Sequence, residues 1–335
     1  MFMSVSARFL VNAEALNMVE SVGNVARHRR APLVVPTDGG EYVLVYAPVV
    51  SGESLANAYQ RWLATISKAE GLPLCSNCEN HFFVKHGDRE VFGSLPWEVD
   101  LAKNLKNLDF HDIERTIVKN CVVEDLGGFL LPEERPVKRT SRFQVSFMVP
   151  AYEEVRKAVL EAQFHVRYAP DPARHRIYYV ELGSALYAFH FNLDLSGVGF
   201  TSMVKREEVV ERDERVGRVK CGLKALAQMI DNRLFGARLS RFAPSIELRS
   251  LLITVSDPAP FTASPAHRRG FVEDTVRRAK SFLGLFGGGE VSMWLVDQEG
   301  LGVEEFKEGG VSLTKASTAS EALLKVADHV ASKLR

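Results

Sequence analysis

The chain has 335 residues, 46% hydrophobic and 25% charged, an ordinary globular composition. Its 42 basic and 42 acidic residues cancel, so net charge points to no polyanionic partner and any nucleic-acid surface must come from local clustering of charge. No stretch approaches the roughly 20 apolar residues of a membrane span, and Ser4, Ser6 and Arg8 interrupt the N-terminus too early for a signal-peptide core, so a cytoplasmic protein without membrane contact is expected.

Val5 to Ala13, apolar with polar Ser6, Arg8 and Asn12 interspersed, reads as a strand. Gly23 to Pro36 reads as a loop or short hairpin, and Tyr42 to Ala47 as a second short strand. Ser51-Gly52 opens a helix on which Leu55, Tyr59, Trp62 and Ile66 recur at helical spacing, with Ser51 as N-cap. From Gly71 to about Pro136 the pattern weakens and an insertion is expected. Arg142–Val149 reads as a clear strand and Tyr152–Ala162 as a short helix, followed by strands at Phe164–Tyr168, Ile177–Leu182 and Ala185–Leu195. Lys205–Lys220 alternates charges of both signs and reads as a solvated arm or helix end. A second amphipathic helix is expected at Gly222–Arg238, then a strand at Ile246–Val255, a helix at Phe271–Leu283, a turn at Gly287–Gly289, a strand at Val291–Val296 and a closing helix at Glu321–Leu334. The strongest elements run strand, helix, strand, strand, helix, strand. That is the order of an α+β ferredoxin-like or RRM-type fold whose halves are separated by large insertions.

Chemistry has few anchors. Arg27, His28, Arg29 and Arg30 stand together with no acid between Glu20 and Asp38. Clustered arginines hold phosphate bidentately, with charge-assisted hydrogen bonds. KRTSR at 138–142 is a second basic cluster, and the two together suggest a shared polyanion groove. The helix start at Ser51-Gly52 offers free backbone N–H groups and a positive dipole end. Cys75-x-x-Cys78-x-x-His81, with His86 five residues later or Cys121 as an alternative fourth ligand, has zinc-ligand types. The spacing is too compact for a standard finger, and a reduced, partly buried loop is the plainer reading; neither metal nor cofactor is assigned. No nucleophile elbow, Walker loop or His-Glu-x-x-His helix is present, and Glu124, Asp125 and Asp194 form no metal group in sequence.

The segments RFLVNAEALNMVESVGN (8–24), APVVSGESLANAYQ (47–60), VVEDLGGFL (122–130), RTSRF (139–143), AQFHVRY (162–168), VELGSALYAFHFNLDL (180–195), RLSRFAPSIELRSLLITVSD (238–257) and SPAH (264–267) resemble an archaeal CRISPR family. That family is the DevR-like backbone subunit of type I-A Cascade, within the RAMP superfamily. The resemblance implies a single modified RRM core over 1–335, a palm carrying finger and thumb elements. The insertions expected are a subdomain at 71–140, a thumb-like element at 150–182 and a C-terminal extension at 258–335. It implies head-to-tail assembly into a helical filament along the spacer of a guide RNA, whose bases stay free to pair with target DNA, and association with other Cascade subunits. Carried onto this chain, RNA contact is implied for Asn24, Arg27, His28, Arg29, Arg30, Ser51, Gly52, Ser54, Arg139, Ser141, Arg142, His165 and Arg167. Related subunits that cut target RNA use a loop aspartate, whereas Ser21–Thr37 holds no acid; a non-catalytic subunit is expected. The alternative is a guide-processing ribonuclease of the same superfamily, with His28 or His165 as acid–base and GLFGGG at 284–289 as its glycine-rich loop.

Overall fold

Alternation along the first strand sets the layers of the molecule. The computed structural model describes residues 1–37, 39–132 and 136–334. In it, β1 (Phe2–Glu14) carries Met3, Val5, Ala7, Phe9 and Val11 on one face and Ser4, Ser6 and Arg8 on the other, all buried. A strand buried on both faces requires a covering layer on each side.

In chain order, β2 (Met18–Val22) and β3 (Val25–His28) form one hairpin, and β4 (Arg30–Pro36) and β5 (Tyr42–Pro48) a second. Helix α1 (Gly52–Ala69) starts at Ser51, whose hydroxyl accepts from Ser54 N at 3.3 Å. Then come α2 (Ser76–Glu79), α3 (Pro96–Asn104), α4 (Phe110–Asn120) and α5 (Val122–Gly127), and the short pair β6 (Phe129–Leu131) and β7 (Val137–Arg139). Next are β8 (Phe143–Val145), β9 (Val149–Pro150), β10 (Val159–Arg167) and the 19-residue β11 (Arg176–Asp194). The chain continues with α6 (Arg212–Ile230), α7 (Leu239–Phe242), β12 (Ser245–Asp257), α8 (Phe271–Phe286), β13 (Glu290–Asp297), β14 (Phe306–Glu308), β15 (Val311–Lys315) and α9 (Ala319–Lys333).

One large sheet holds the order β14-β15-β13-β12-β1-β11-β3-β2, with β8, β9 and β10 also paired to β11. Strand β1 is antiparallel to both β11 and β12. Its apolar face packs on α1, α6 and α9 through Leu55, Leu63, Leu223, Leu226 and Val326. Helix α6 approaches α1 closely at Gly222, where a Cβ would lie 2.9 Å from Tyr59 Oη. The polar face of β1 is covered by the segment after β12 and by α8: Ser4 Oγ accepts from Ala263 N at 3.0 Å, and Phe261, Phe271 and Leu283 pack beneath β13 and β15. Arg8 is sealed by Glu299 at 2.9 Å and Glu153 at 2.5 Å.

Several local expectations change in three dimensions. The basic run 27–30, within the expected loop or short hairpin, lies in strands, where β3 of one hairpin meets β4 of the next. Residues 142–149 form two short strands, β8 and β9, interrupted where Met148 bridges Val50. The helix expected at 152–162 is a 3₁₀ turn over Tyr152–Lys157 that gives way to β10. The two strands expected at 177–182 and 185–195 are one, because Gly183 and Ser184 keep register with Leu160 and Val159. Helix α6 begins ten residues before Gly222 and ends at Ile230; its charged first turn is exposed at Arg212 and Asp213, whereas Arg215 and Arg218 turn inward. The changes among the strands follow from long-range pairing overriding a local pattern.

Candidate nucleic-acid interface

The sequence-nominated residues fall in three places. Asn24, His165 and Arg167 come together where the β10–β11 hairpin projects from the sheet. A groove of about 1030 Å³ there is lined by Asn24, Arg167, Arg176, Tyr178, Arg238, Arg241 and Phe242, among others. Asn24 is fixed because its carbonyl accepts from Tyr179 N at 2.8 Å. His165 stacks on Tyr178 at 5.2 Å and stands nearly perpendicular to Phe242 at 5.4 Å; its Nε2 has no partner among the described residues. Arg167 stands directly across the ladder from Arg176. Like charges opposed across strands are destabilising unless an anion sits between them. None of Arg167, Arg176, Arg238 and Arg241 has an acidic partner among the described residues.

Five of these groove residues, Arg176, Tyr178, Arg238, Arg241 and Phe242, carry no role in the sequence reading. The hairpin pairing of HVR with RIY places Arg176 and Tyr178 beside Arg167 and His165; that signal was readable. Arg238 and Arg241 arrive from the far side of the chain, where Ala237 N donates to Leu16 O at 2.8 Å. Gly236 permits this docking: it has φ +83°, and a Cβ would lie 2.6 Å from the Leu16 side chain. The same segment walls a second groove of about 610 Å³, lined by Ser54, Arg61, Trp62, Thr65 and His81 opposite Leu234–Ala237. Ser54 therefore joins the basic surface, through residues 234–242.

The second place is the β3–β4 junction. Arg27 is exposed, 3.9 Å from Glu20, and Arg30 lies 3.0 Å from Glu181. Arg29 is half-buried, with its Nε lacking a partner among the described residues. Arg29 N donates to Asn17 O, and the Asn17 side chain accepts from Ser51 N at 2.8 Å, so the basic run and the start of α1 are neighbours. His28 points inward and its side chain is inaccessible. Nε2 stands 2.6 Å from Glu14 Oε1, which also accepts from Tyr187 Oη at 2.8 Å, and Nδ1 pairs with Arg29 O at 2.8 Å. Burial opposes the charged imidazolium, but Glu14, the Arg29 carbonyl and Glu181 outweigh it and raise the His28 pKa. A group so enclosed cannot touch RNA. Ser51 is likewise buried and occupied as N-cap, and a Cβ at Gly52 would meet Val145 O at 2.9 Å. The Ser54 N–H is thus taken by the Ser51 hydroxyl, and the start of α1 is crowded by Val145 on one side and carries exposed Glu53.

The third place is the far end of β11. Asp194 N donates to Arg142 O at 2.8 Å, whereas Asn24 is tied to Tyr179; fifteen residues of strand separate the two, about 50 Å at ~3.3 Å per residue. The two basic clusters therefore do not share a groove. Arg139 is fully buried: it reaches Asp125 at 2.5 Å and Glu114 at 3.3 Å, and donates to the Asp125, Gly197 and Phe200 carbonyls. Arg218 meets the other Asp125 oxygen at 2.8 Å. The Ser141 hydroxyl is held at 2.7 Å from Phe143 O. Arg142 keeps 14% of its side-chain surface and pairs with Asp194 at 3.2 Å. Arg139 belongs to the interior, because two carboxylates and three carbonyls satisfy its guanidinium there.

Comparison with known proteins bears on this arrangement. Residues 5–276 match the family described as CRISPR-associated negative auto-regulator DevR/Csa2. The chain is 38% identical to the CRISPR-associated aCascade subunit Cas7/Csa2 2 of Saccharolobus solfataricus, over 97% of this chain and 99% of that protein. It is 26% identical to the CRISPR-associated protein Cas7/Cst2/DevR of Methanocaldococcus jannaschii, over 84% of this chain and 88% of that protein. Chains of two solved structures share the fold: one from a CRISPR RNA-guided surveillance complex (TM-score 0.54, 10% identity, 98% of this chain and 100% of that one), and one from a pre-nicking surveillance complex (TM-score 0.55, 11% identity, all of both chains).

Proposed function

Because the chain belongs to the CRISPR-associated DevR/Csa2 family, we propose that it is the guide-RNA-binding, repeated backbone subunit of an antiviral Cascade complex in the cytoplasm, and that it does not itself cut RNA. The observation that carries the reading is the groove of Arg167, Arg176, Arg238 and Arg241, cations without counter-charges among the described residues, beside the rings of Tyr178 and Phe242. Guanidinium groups hold phosphates, and aromatic faces accept bases of any sequence. A guide must be held without regard to its sequence, because pairing with target DNA does the reading.

The core supports the same assignment. Strands β12, β1, β11 and the β8–β9 pair lie side by side, antiparallel, with α1 and α6 on one face. We read this as a modified RRM or ferredoxin-like palm, with 71–140 an inserted subdomain, 150–182 the thumb and 258–335 an extension. Filament formation along the guide draws support from the apolar side chains that two projecting hairpins leave in solvent: Val34, Tyr42, Leu44 and Tyr46 on β4–β5, and Phe164, Val166 and Ile177 on β10–β11. For a non-cutting subunit, the support is the acid-free run 21–37, the enclosure of His28 and the lack of an acid partner for His165 among the described residues.

The test is purification of the full chain from cells expressing a CRISPR array, followed by extraction of bound nucleic acid. The expected result is guide-length RNA that the Arg167→Glu, Arg176→Glu, Arg241→Glu triple variant loses and Lys307→Glu retains. Equal RNA in both variants would overturn the groove assignment. Specific cleavage of a labelled guide precursor, abolished by His165→Ala, would replace the backbone reading with the processing one.

A further inference from the structure

Three cysteines and a glutamate meet in the interior, away from the basic grooves. Cys75 caps the start of α2 and Cys78 lies within it; Cys121 stands at the α4–α5 junction and Glu124 in the first turn of α5. Their four ligand atoms all lie within 4.8 Å of one another, and all four residues are buried. Cys75 Sγ is 3.3 Å and Cys78 Sγ 3.9 Å from Glu124 Oε1. A tetrahedral zinc with Zn–S of ~2.3 Å spaces its sulfurs roughly 3.8 Å apart, so this cage has the size of such a site.

We propose that Cys75, Cys78, Cys121 and Glu124 form a structural zinc site. Three soft thiolates and one carboxylate in a closed, buried set select a tetrahedral d¹⁰ ion over magnesium or calcium. Free cysteines are usually buried singly as small apolar groups; here three converge with a carboxylate from segments more than forty residues apart. Cys78 N donates to Cys75 Sγ at 3.4 Å, a backbone donor that stabilises a thiolate. His86 Nδ1 lies 2.8 Å from both Glu124 oxygens and orients the ligand as an outer partner. His81, which the sequence spacing nominated, is elsewhere: its Nε2 is 3.2 Å from the Thr65 hydroxyl at the surface. The ion would pin the turn after α1 to the α4–α5 junction, beside the bond from Val122 N to Pro73 O. Binding displaces the thiol protons, so retention falls at low pH.

The experiment measures zinc by mass spectrometry in full-length protein purified without chelator or immobilised metal. About one zinc per chain is expected in the natural sequence and in Cys221→Ser, and none in Cys75→Ser or Cys121→Ser. His86→Gln should weaken zinc affinity about 10–100-fold. Because the cysteine variants could misfold, the natural protein is also stripped with chelator and titrated with cobalt(II). Tetrahedral ligand-field bands and a thiolate charge-transfer band, saturating at about one equivalent and erased by zinc, are expected. A natural protein that holds no zinc and gives no cobalt spectrum would overturn the site, as would zinc undiminished in both cysteine variants.

Discussion

Arginine does opposite work at the two ends of β11. At one end Arg139 and Arg218 are buried, each bonded to Asp125 and to backbone carbonyls. At the other, Arg167 and Arg176 face each other in solvent, joined by Arg238 and Arg241, with no carboxylate among the described residues to answer them. The residue type is the same, and its partners decide its role. A guanidinium whose donors are all satisfied is architecture; one left facing a like charge has an anion still to find.

The sharpest way to break this contrast is Asp125→Asn. It removes the charge between two buried arginines and should cost about 3–5 kcal/mol, read by denaturant unfolding. A loss below ~1 kcal/mol would mean the network is not what holds Arg139. Mutations in the groove should do the reverse. Arg167→Glu and Arg241→Glu should shift stability by less than about 0.5 kcal/mol. In single-stranded RNA binding, each should reduce the slope of log affinity against log salt by ~0.7 per lost phosphate contact, equally on two unrelated guides. A change in sequence preference with an intact slope would instead indicate base reading.

Two histidines sharpen the comparison through pH. Glu14 and its neighbours raise the His28 pKa. Its stabilising contribution is therefore complete below the unfolded value of about 6.5 and lost as pH rises through the folded value. His267, stacked on Tyr152 at 4.1 Å, is lowered to about 4 by burial, with His190 and Arg8 adding to the shift. Its contribution is present above about 6.5 and lost as pH falls through about 4. Thermal melts across pH should show His28→Gln flattening the alkaline limb and His267→Phe the acidic one. Melts of His28→Gln that parallel the unmodified protein above neutrality would refute the ion pair. The smallest effect belongs to Arg27→Gln: the exposed pair with Glu20 at 3.9 Å should be worth under ~0.5 kcal/mol. A larger loss would place Arg27 with the buried arginines.

Asn24 and Arg167, both nominated from sequence, meet in one groove, because HVR pairs with RIY across a hairpin and Tyr179 N ties Asn24 to the same strand. Arg139 was nominated for the same basic character and is interior, since its partners Glu114 and Asp125 come from helices that no local pattern connects to it. His28 fails as a surface residue for the same reason: Glu14, fourteen positions earlier, pulls it inward.

Sequence alone determined where the chain makes its main strands and helices. The period-2 run at Val5–Ala13, the apolar stretch at Ile246–Val255 and the helical spacing from Leu55 to Ile66 are local patterns that the fold keeps. Tertiary structure alone decided which charges are free. Burial of an arginine, or the meeting of Cys75 and Cys78 with Cys121 and Glu124, depends on partners supplied by remote segments. A polar group's free energy is set by what surrounds it, not by its neighbours along the chain.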